Sequence, residues 1–497
     1  MTSTQPRPEN CPPVATDRLA QRCGAQHRGP SAQVTGITNR SGEVRPGDLY
    51  VALPGSRVHG GQFVAEALAA GAVAILTDPA GSELAGDLDV PVLVCDDVRQ
   101  QVGHVAAAVY GDPSRQLQML GITATSGKTT TAYLVRAVLE DAGVTSGLIG
   151  TVETLIGDER IAHTAGASFT TPEAPDLQAL LAVMVERGVT HVVMEVSSHS
   201  LQLGRVTGIE YAVAGFGNLS QDHLDFHHTM QDYFEAKALL FDGRSKIHVL
   251  NVDDPWVARL RDAGPHTITI SPSGGDADWT LDGRHVTGPN GITLDLRLSL
   301  PGDYNAANAL LGLAITTAAG FDPQRAVAAL ASVQVPGRME RIDAGQDFIA
   351  LVDYSHKPAA VEAALASVRA QTSGRVLLVL GCGGDRDAAK RPIMGEVGAA
   401  GSDLLVITDD NPRSEDPALI RAAMLQGARA VPDEQRADVV EIGDRAAAIR
   451  YAVDAARSGD VVLVAGKGHE IGQYVAGVVH EFDDRVELRR AIEGRAA

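Results

Sequence analysis

Paired cysteines, a secretory leader and a membrane-length apolar run are all missing from this chain. Its four cysteines, Cys11, Cys23, Cys95 and Cys382, are scattered and show no C-x-x-C spacing. That pattern argues against a disulfide framework or structural zinc and fits a reducing compartment, so a cytoplasmic location is expected. The N-terminal stretch MTSTQPRPENCPPVATD is polar and Pro-rich, and no uninterrupted hydrophobic run reaches the length of a bilayer, so neither export nor a membrane partner is expected. Basic charge is in deficit: 42 Lys and Arg face 62 Asp and Glu, a formal net charge of -20. Such a surface does not capture phosphate backbones, so broad nucleic-acid binding is not expected, and plain solubility accounts for the charge. A few local cations and oriented backbone amides still suffice for an anionic small molecule. No repeat of solenoid period is present.

What is present is length and alternation. The 497 residues exceed one ordinary core, and short Val, Ile and Leu runs alternate with Ala-rich segments of helical period, which predicts an α/β protein with parallel sheets. Breaks at 111–114 and at the Pro336-Gly337 step predict three domains, over residues 1–116, 117–335 and 336–497. Strands are predicted at 117–123, 192–196, 211–216 and 247–252 in the second domain, and at 348–353, 375–381, 404–408 and 461–465 in the third.

Between an apolar strand and a helical stretch running to about residue 142 lies Gly121-Ile122-Thr123-Ala124-Thr125-Ser126-Gly127-Lys128-Thr129-Thr130. A glycine that admits close backbone approach, helix-start amides, a lysine and a Thr hydroxyl for Mg²⁺ together read as a phosphate loop. The alternative is a Gly-Lys-Thr turn that merely caps a helix. Downstream, Glu195 ends a buried apolar run, and His223 and Lys237 follow. Taken singly these read as polar strand ends and a solvated helix lysine. Asn305 and Asn308 are three apart and share a helix face, where carboxamides suit a purine edge as well as an ordinary helix start.

Together these segments resemble the Mur ligases, whose three-domain fold has an N-terminal uridine-nucleotide domain, a central ATPase domain and a C-terminal Rossmann-like domain. In that resemblance Ala124 to Thr130 bind ATP with Asn305 and Asn308. Ala124 replaces the usual glycine of the loop and Ser126 the usual asparagine, and an alanine would tighten the loop if that position needed positive φ. Glu195 and His223, with Thr129, correspond to Mg²⁺ ligands, and Lys237 to a lysine carbamoylated by CO₂, which converts a repelled ammonium into an anionic oxygen ligand. Arg338, Asp353 and His356, the last two within Asp353-Tyr354-Ser355-His356, match further ATP contacts. Ser41, Thr170, Thr171, Ser197, Leu203 and Arg205 fall where the family holds the UDP-muropeptide. Around Ser41 the family's flanking Asp and Arg are replaced by Arg40 and Gly42, and Leu203 stands where the family often has Gln.

Three polar loops follow predicted strands directly: Gly381 to Asp387, Thr408 to Arg413, and Gly466 to Glu470. Loops at the carboxyl ends of parallel strands converge on one crevice. The Asp410-Asn411-Pro412-Arg413 element resembles the diaminopimelate-adding branch of the family; read alone it is an Asx-Pro turn with a surface Arg. The resemblance implies Arg386 and Arg413 on the far carboxylate of diaminopimelate, with Asn411, Glu470 and the Gly466 carbonyl on its ammonium. Implied overall is a monomer that transfers the γ-phosphoryl group of ATP to the D-glutamate carboxylate of UDP-N-acetylmuramoyl-L-alanyl-D-glutamate, which meso-diaminopimelate then attacks. A lysine-adding Mur ligase, a folylpolyglutamate synthetase and a nucleotide-gated scaffold without ligase activity stay open as alternatives.

Overall fold

The computed structural model describes residues 6–55, 57–161, 170–264 and 266–496; the first five residues of the polar N-terminal stretch lie outside it. Two compact units are present, one of residues 1–297 with 307–330, the other of 298–306 with 331–497.

The first unit contains two sheets. A five-stranded sheet runs in the order Gln26–Arg28, Val92–Val94, Ala74–Thr77, Asp48–Ala52, Gly36–Thr38, all parallel except the first pair. It is fastened to the rest of the unit by Arg40, whose guanidinium reaches Asp176 on the helix Ala174–Glu186 at 2.7 Å. Burial pushes the Asp176 carboxyl up, and Arg40 opposes that shift. The larger, eleven-stranded sheet has Gln118–Thr123 between His191–Glu195 and Tyr211–Phe216. These inner strands are parallel and almost wholly buried, as expected where helices cover both faces and the strand sequence reads as an unbroken apolar run. The expected parallel sheet holds for the interior only. Thr154–Ile156 and Glu159–Ile161 at one edge, and His285–Gly288 and Ile292–Asp295 at the other, pair antiparallel, because tight turns such as Gly283-Arg284 return the chain directly instead of through a crossover helix.

The second unit has a six-stranded sheet in the order Glu340–Arg341, Ile349–Asp353, Val461–Ala465, Val376–Cys382, Leu404–Asp409, Asp438–Glu441, parallel apart from the first strand. Beneath its carboxyl edge Arg445 and Asp484 form a fully buried two-pronged pair, both bonds 2.7 Å, and Arg445 also donates to the Ala465 carbonyl at 3.0 Å. Removing one member leaves a buried charge without its partner, so Arg445→Met is expected to cost about 3–5 kcal/mol in denaturant unfolding. Adding Asp484→Leu is expected to recover most of it, because the orphaned carboxylate goes too. Among the described residues no helix is long and apolar enough to cross a membrane.

Candidate active site

The phosphate loop grows from the carboxyl end of Gln118–Thr123. The chain crosses to both sides of that strand, so a crevice opens at its tip. Gly127, at φ 90°, turns the backbone into the helix Lys128–Asp141, whose first amides have no intrahelical partner. A Cβ on Gly127 would come within 2.2 Å of Asn308 Oδ1, so glycine is what lets Asn308 lie against the loop. The residues with positive φ do not include Ala124; its methyl is buried and the substitution leaves the backbone unstrained.

Asn218 locks the loop from outside. Its Oδ1 accepts from the Ser126 amide at 3.0 Å, its Nδ2 donates to the Ser126 carbonyl at 2.9 Å, and its own carbonyl accepts from the Thr125 amide at 2.9 Å. Lys128 Nζ donates to the carbonyls of Ala124 and Thr125 at 2.9 and 3.3 Å. Lys237 is buried and also donates to the Ala124 carbonyl, at 2.9 Å, as well as to the Thr123 hydroxyl at 3.2 Å. Two lysine ammonium groups therefore share one oxygen.

Glu195, buried at the end of its strand, accepts from the hydroxyls of Thr129 at 3.1 Å and Thr151 at 2.9 Å and from the Thr151 amide at 2.9 Å. A side chain on Gly150 would strike this carboxylate. The neighbourhood extends outward: the Thr151 hydroxyl, its one proton given to Glu195, can accept from the Thr170 hydroxyl 3.0 Å away, Thr171 donates to the Glu195 carbonyl at 3.0 Å, and the Ser197 amide donates to Thr171 Oγ1 at 3.5 Å. Arg205 pairs with Glu173 at 2.8 Å and donates to the Thr171 carbonyl at 3.4 Å. Thr170, Thr171, Ser197 and Arg205 are thus brought to one rim beside the phosphate loop. Leu203 caps the helix Ser198–Gln202, and Ser41 starts a single 3-10 turn in the five-stranded part of the unit.

His223 is exposed, sits at φ 53°, contacts Asp222 and packs edge-on against His199. His227, by contrast, is buried on the Ser198 hydroxyl at 2.9 Å, and burial, with His199 and Lys237 adding to it, holds its imidazole down to about 4. Among the described residues no three His, Cys, Asp or Glu side chains gather closely enough to hold a metal. Thr129 and Glu195 nevertheless supply adjoining oxygens of the kind a hard cation takes.

In the second unit the three polar loops leave three adjacent strands and are hydrogen-bonded to one another. Gly384 N–H donates to the Asn411 carbonyl at 2.9 Å, Arg413 Nη1 to the Gly384 carbonyl at 2.7 Å, and Asn411 Nδ2 to Glu470 Oε2 at 2.8 Å. A hairpin, Gly472–Val475 with Val478–Glu481, clamps the middle loop through main-chain bonds: Arg413 N–H to the Tyr474 carbonyl at 2.8 Å and Ala476 N–H to the Arg413 carbonyl at 2.6 Å. Asp410 is buried beneath Gly466, where a Cβ would approach its carboxylate to 2.7 Å. Arg386 is exposed and Pro412 buried. Asn411 Oδ1 is already engaged by Lys467 Nζ and the Tyr474 amide, both at 3.1 Å. The carboxamide thus faces Glu470 with its donor end.

Elsewhere in this unit Asp353 accepts from the amides of Met339 and Ser355, both at 2.8 Å, and Arg338 lies 4.1 Å over the Tyr354 ring. Burial holds His356 down to about 4, so it is neutral at pH 7, against a weaker opposing effect of its bond to the Tyr354 carbonyl. Asn305 donates to the Pro301 carbonyl at 2.7 Å.

Residues 33–110 match the Mur ligase family catalytic domain, 122–316 the Mur ligase middle domain and 337–468 the Mur ligase glutamate ligase domain. The UDP-N-acetylmuramoyl-L-alanyl-D-glutamate–2,6-diaminopimelate ligase of Streptomyces coelicolor is 52% identical over 501 aligned residues, 98% of each chain. The chain belongs to the Mur ligase family. The enzyme of the same name from Corynebacterium glutamicum is 50% identical over 462 residues, 89% of each chain. A solved structure with that enzyme name superposes on this Mur ligase with a TM-score of 0.68 at 32% identity, covering 94% of this chain and 96% of the other. Sequence reasoning on this Mur ligase missed Asn218, Thr151 and Lys467, although Lys467 lies in the Gly466 to Glu470 loop that it singled out.

Proposed function

We propose that this Mur ligase uses ATP to join meso-2,6-diaminopimelate to UDP-N-acetylmuramoyl-L-alanyl-D-glutamate, through an acyl phosphate on the D-glutamate γ-carboxylate, in the synthesis of peptidoglycan precursors. The observation that carries the reading is the interlocked set of loops around Arg413, Asn411 and Glu470. A guanidinium and an amide donor beside a carboxylate suit an amino-acid head that is itself both anionic and cationic. Lysine has no far carboxylate, so the cations would be desolvated without a partner.

The loop from Ala124 to Thr130, with Lys128, Asn305 and Asn308, holds ATP, and Arg338, Asp353 and His356 complete the nucleotide contacts. Ser41, Thr170, Thr171, Ser197, Leu203 and Arg205 hold the UDP-muropeptide. Lys128 exchanges two backbone carbonyls for phosphate oxygens and stabilises the charge that develops on them. Thr129 and Glu195 would hold Mg²⁺, joined by His223 and by Lys237 as its carbamate; the bound ion neutralises charge on the transferring phosphoryl group. The shared Ala124 carbonyl supports the carbamate, because CO₂ addition at Lys237 replaces repulsion between two neighbouring ammonium groups by attraction. In the second unit Arg386, Asp410, Asn411, Pro412, Arg413, Gly466 and Glu470 surround the incoming amino acid. The three-domain division at 116 and 335, a cytoplasmic location and a monomeric state belong to the same reading.

Phosphate release with all three substrates, followed by the mass of the product, tests it. Release that requires both the UDP-substrate and diaminopimelate is expected, with a product heavier by one diaminopimelate residue. Release indifferent to the amino acid, or a preference for lysine, would overturn the reading.

A further inference from the structure

Lys467 lies in the floor of the three-loop cluster and is fully buried. Its ammonium donates to Gly472 O at 2.7 Å, Asn411 Oδ1 at 3.1 Å and Glu470 Oε2 at 3.3 Å. An ammonium has three donors and no acceptor, so Asn411 has only its oxygen to turn toward it. The Tyr474 amide, 3.1 Å from the same oxygen, fixes the same orientation. Nδ2 is then committed to the other side, where one of its two N–H groups reaches Glu470 at 2.8 Å and the second is not spent on that bond. Glu470 is bound through Oε2 alone, which leaves Oε1 for a cation. The buried positive charge of Lys467 also offsets that of Glu470, so an incoming zwitterion does not meet a net negative wall.

We infer that Lys467 is a positioning residue for the amino-acid substrate: it sets the donor end of Asn411 toward a ligand carboxylate and holds Glu470 for the ligand ammonium. This rests on the diaminopimelate reading above. A purely structural lysine would support loop and hairpin stability without setting ligand selectivity, and the two roles separate in kinetics.

Lys467→Met keeps an unbranched stem of similar length and removes the cation. Its KM for diaminopimelate is expected to rise about tenfold or more, with KM for ATP and for the UDP-substrate within about twofold of wild type, as for the loss of a charge-assisted contact. Discrimination against lysine is expected to fall in parallel. Equal change in all three KM values, or an unchanged diaminopimelate KM in a folded variant, would overturn the assignment while leaving the function intact. Should wild-type turnover itself be independent of diaminopimelate, function and assignment fall together. A crystal structure of the wild-type enzyme with diaminopimelate gives a reading that needs no variant: Lys467 Nζ is expected to stay on Asn411 Oδ1 with Nδ2 on the ligand carboxylate, and a reversed carboxamide would refute it.

Discussion

Lys128→Met is expected to lower kcat for phosphate release about 10²–10³-fold, the scale on which removal of one preorganised donor from developing charge acts. The expectation follows from where the ammonium sits. It caps the carbonyls of Ala124 and Thr125 at the mouth of the loop, beside the first amides of Lys128–Asp141, which face the loop rather than the helix interior, and methionine fills the same space without charge. Folding should be little affected, because Asn218 holds the loop through Ser126 and Thr125 independently of Lys128. Binding of the UDP-substrate, measured calorimetrically, should persist, since Thr171 and Arg205 are held by Glu195 and Glu173 rather than by the lysine. Loss of less than about threefold in kcat would remove this loop from phosphoryl transfer.

Arg413→Ala is expected to remove most of the preference for diaminopimelate over lysine, about 2–5 kcal/mol of discrimination, by taking away the cation that lysine cannot satisfy. The ratio of kcat/KM for the two amino acids measures it. Most of the loss should come from poorer use of diaminopimelate, with lysine use unchanged or improved. The backbone bonds that seat this residue, from its N–H to Tyr474 and from Ala476 to its carbonyl, do not involve the side chain, so the loop should keep its place. A preserved preference would place recognition of the far carboxylate on other residues.

Strands such as 117–123 and 461–465 were legible because parallel strands covered on both faces read as unbroken apolar runs, and the structure has them at Gln118–Thr123 and Val461–Ala465. The phosphate loop was legible because its chemistry is contiguous in the chain. Contacts made across distance were not. Asn218 reaches Ser126 over 92 residues, Thr151 reaches Glu195 over 44 and Lys467 reaches Asn411 over 56, and no local period signals such a bond. The polarity of Asn411 was unreadable for the same reason: either end of a carboxamide suits an isolated motif, and only the surrounding donors decide which end is presented. The antiparallel edges of the large sheet escaped because their strands are only three or four residues long.

The hairpin that grips the Asp410–Arg413 loop does so largely through main-chain atoms, while Val478 and Val479 point their side chains outward, each more than half exposed. Recognition of the loop is thereby decoupled from the identity of those outward side chains. Fluorophores or affinity tags introduced at either position would report on substrate entry from a few residues away, without rewriting the specificity they observe.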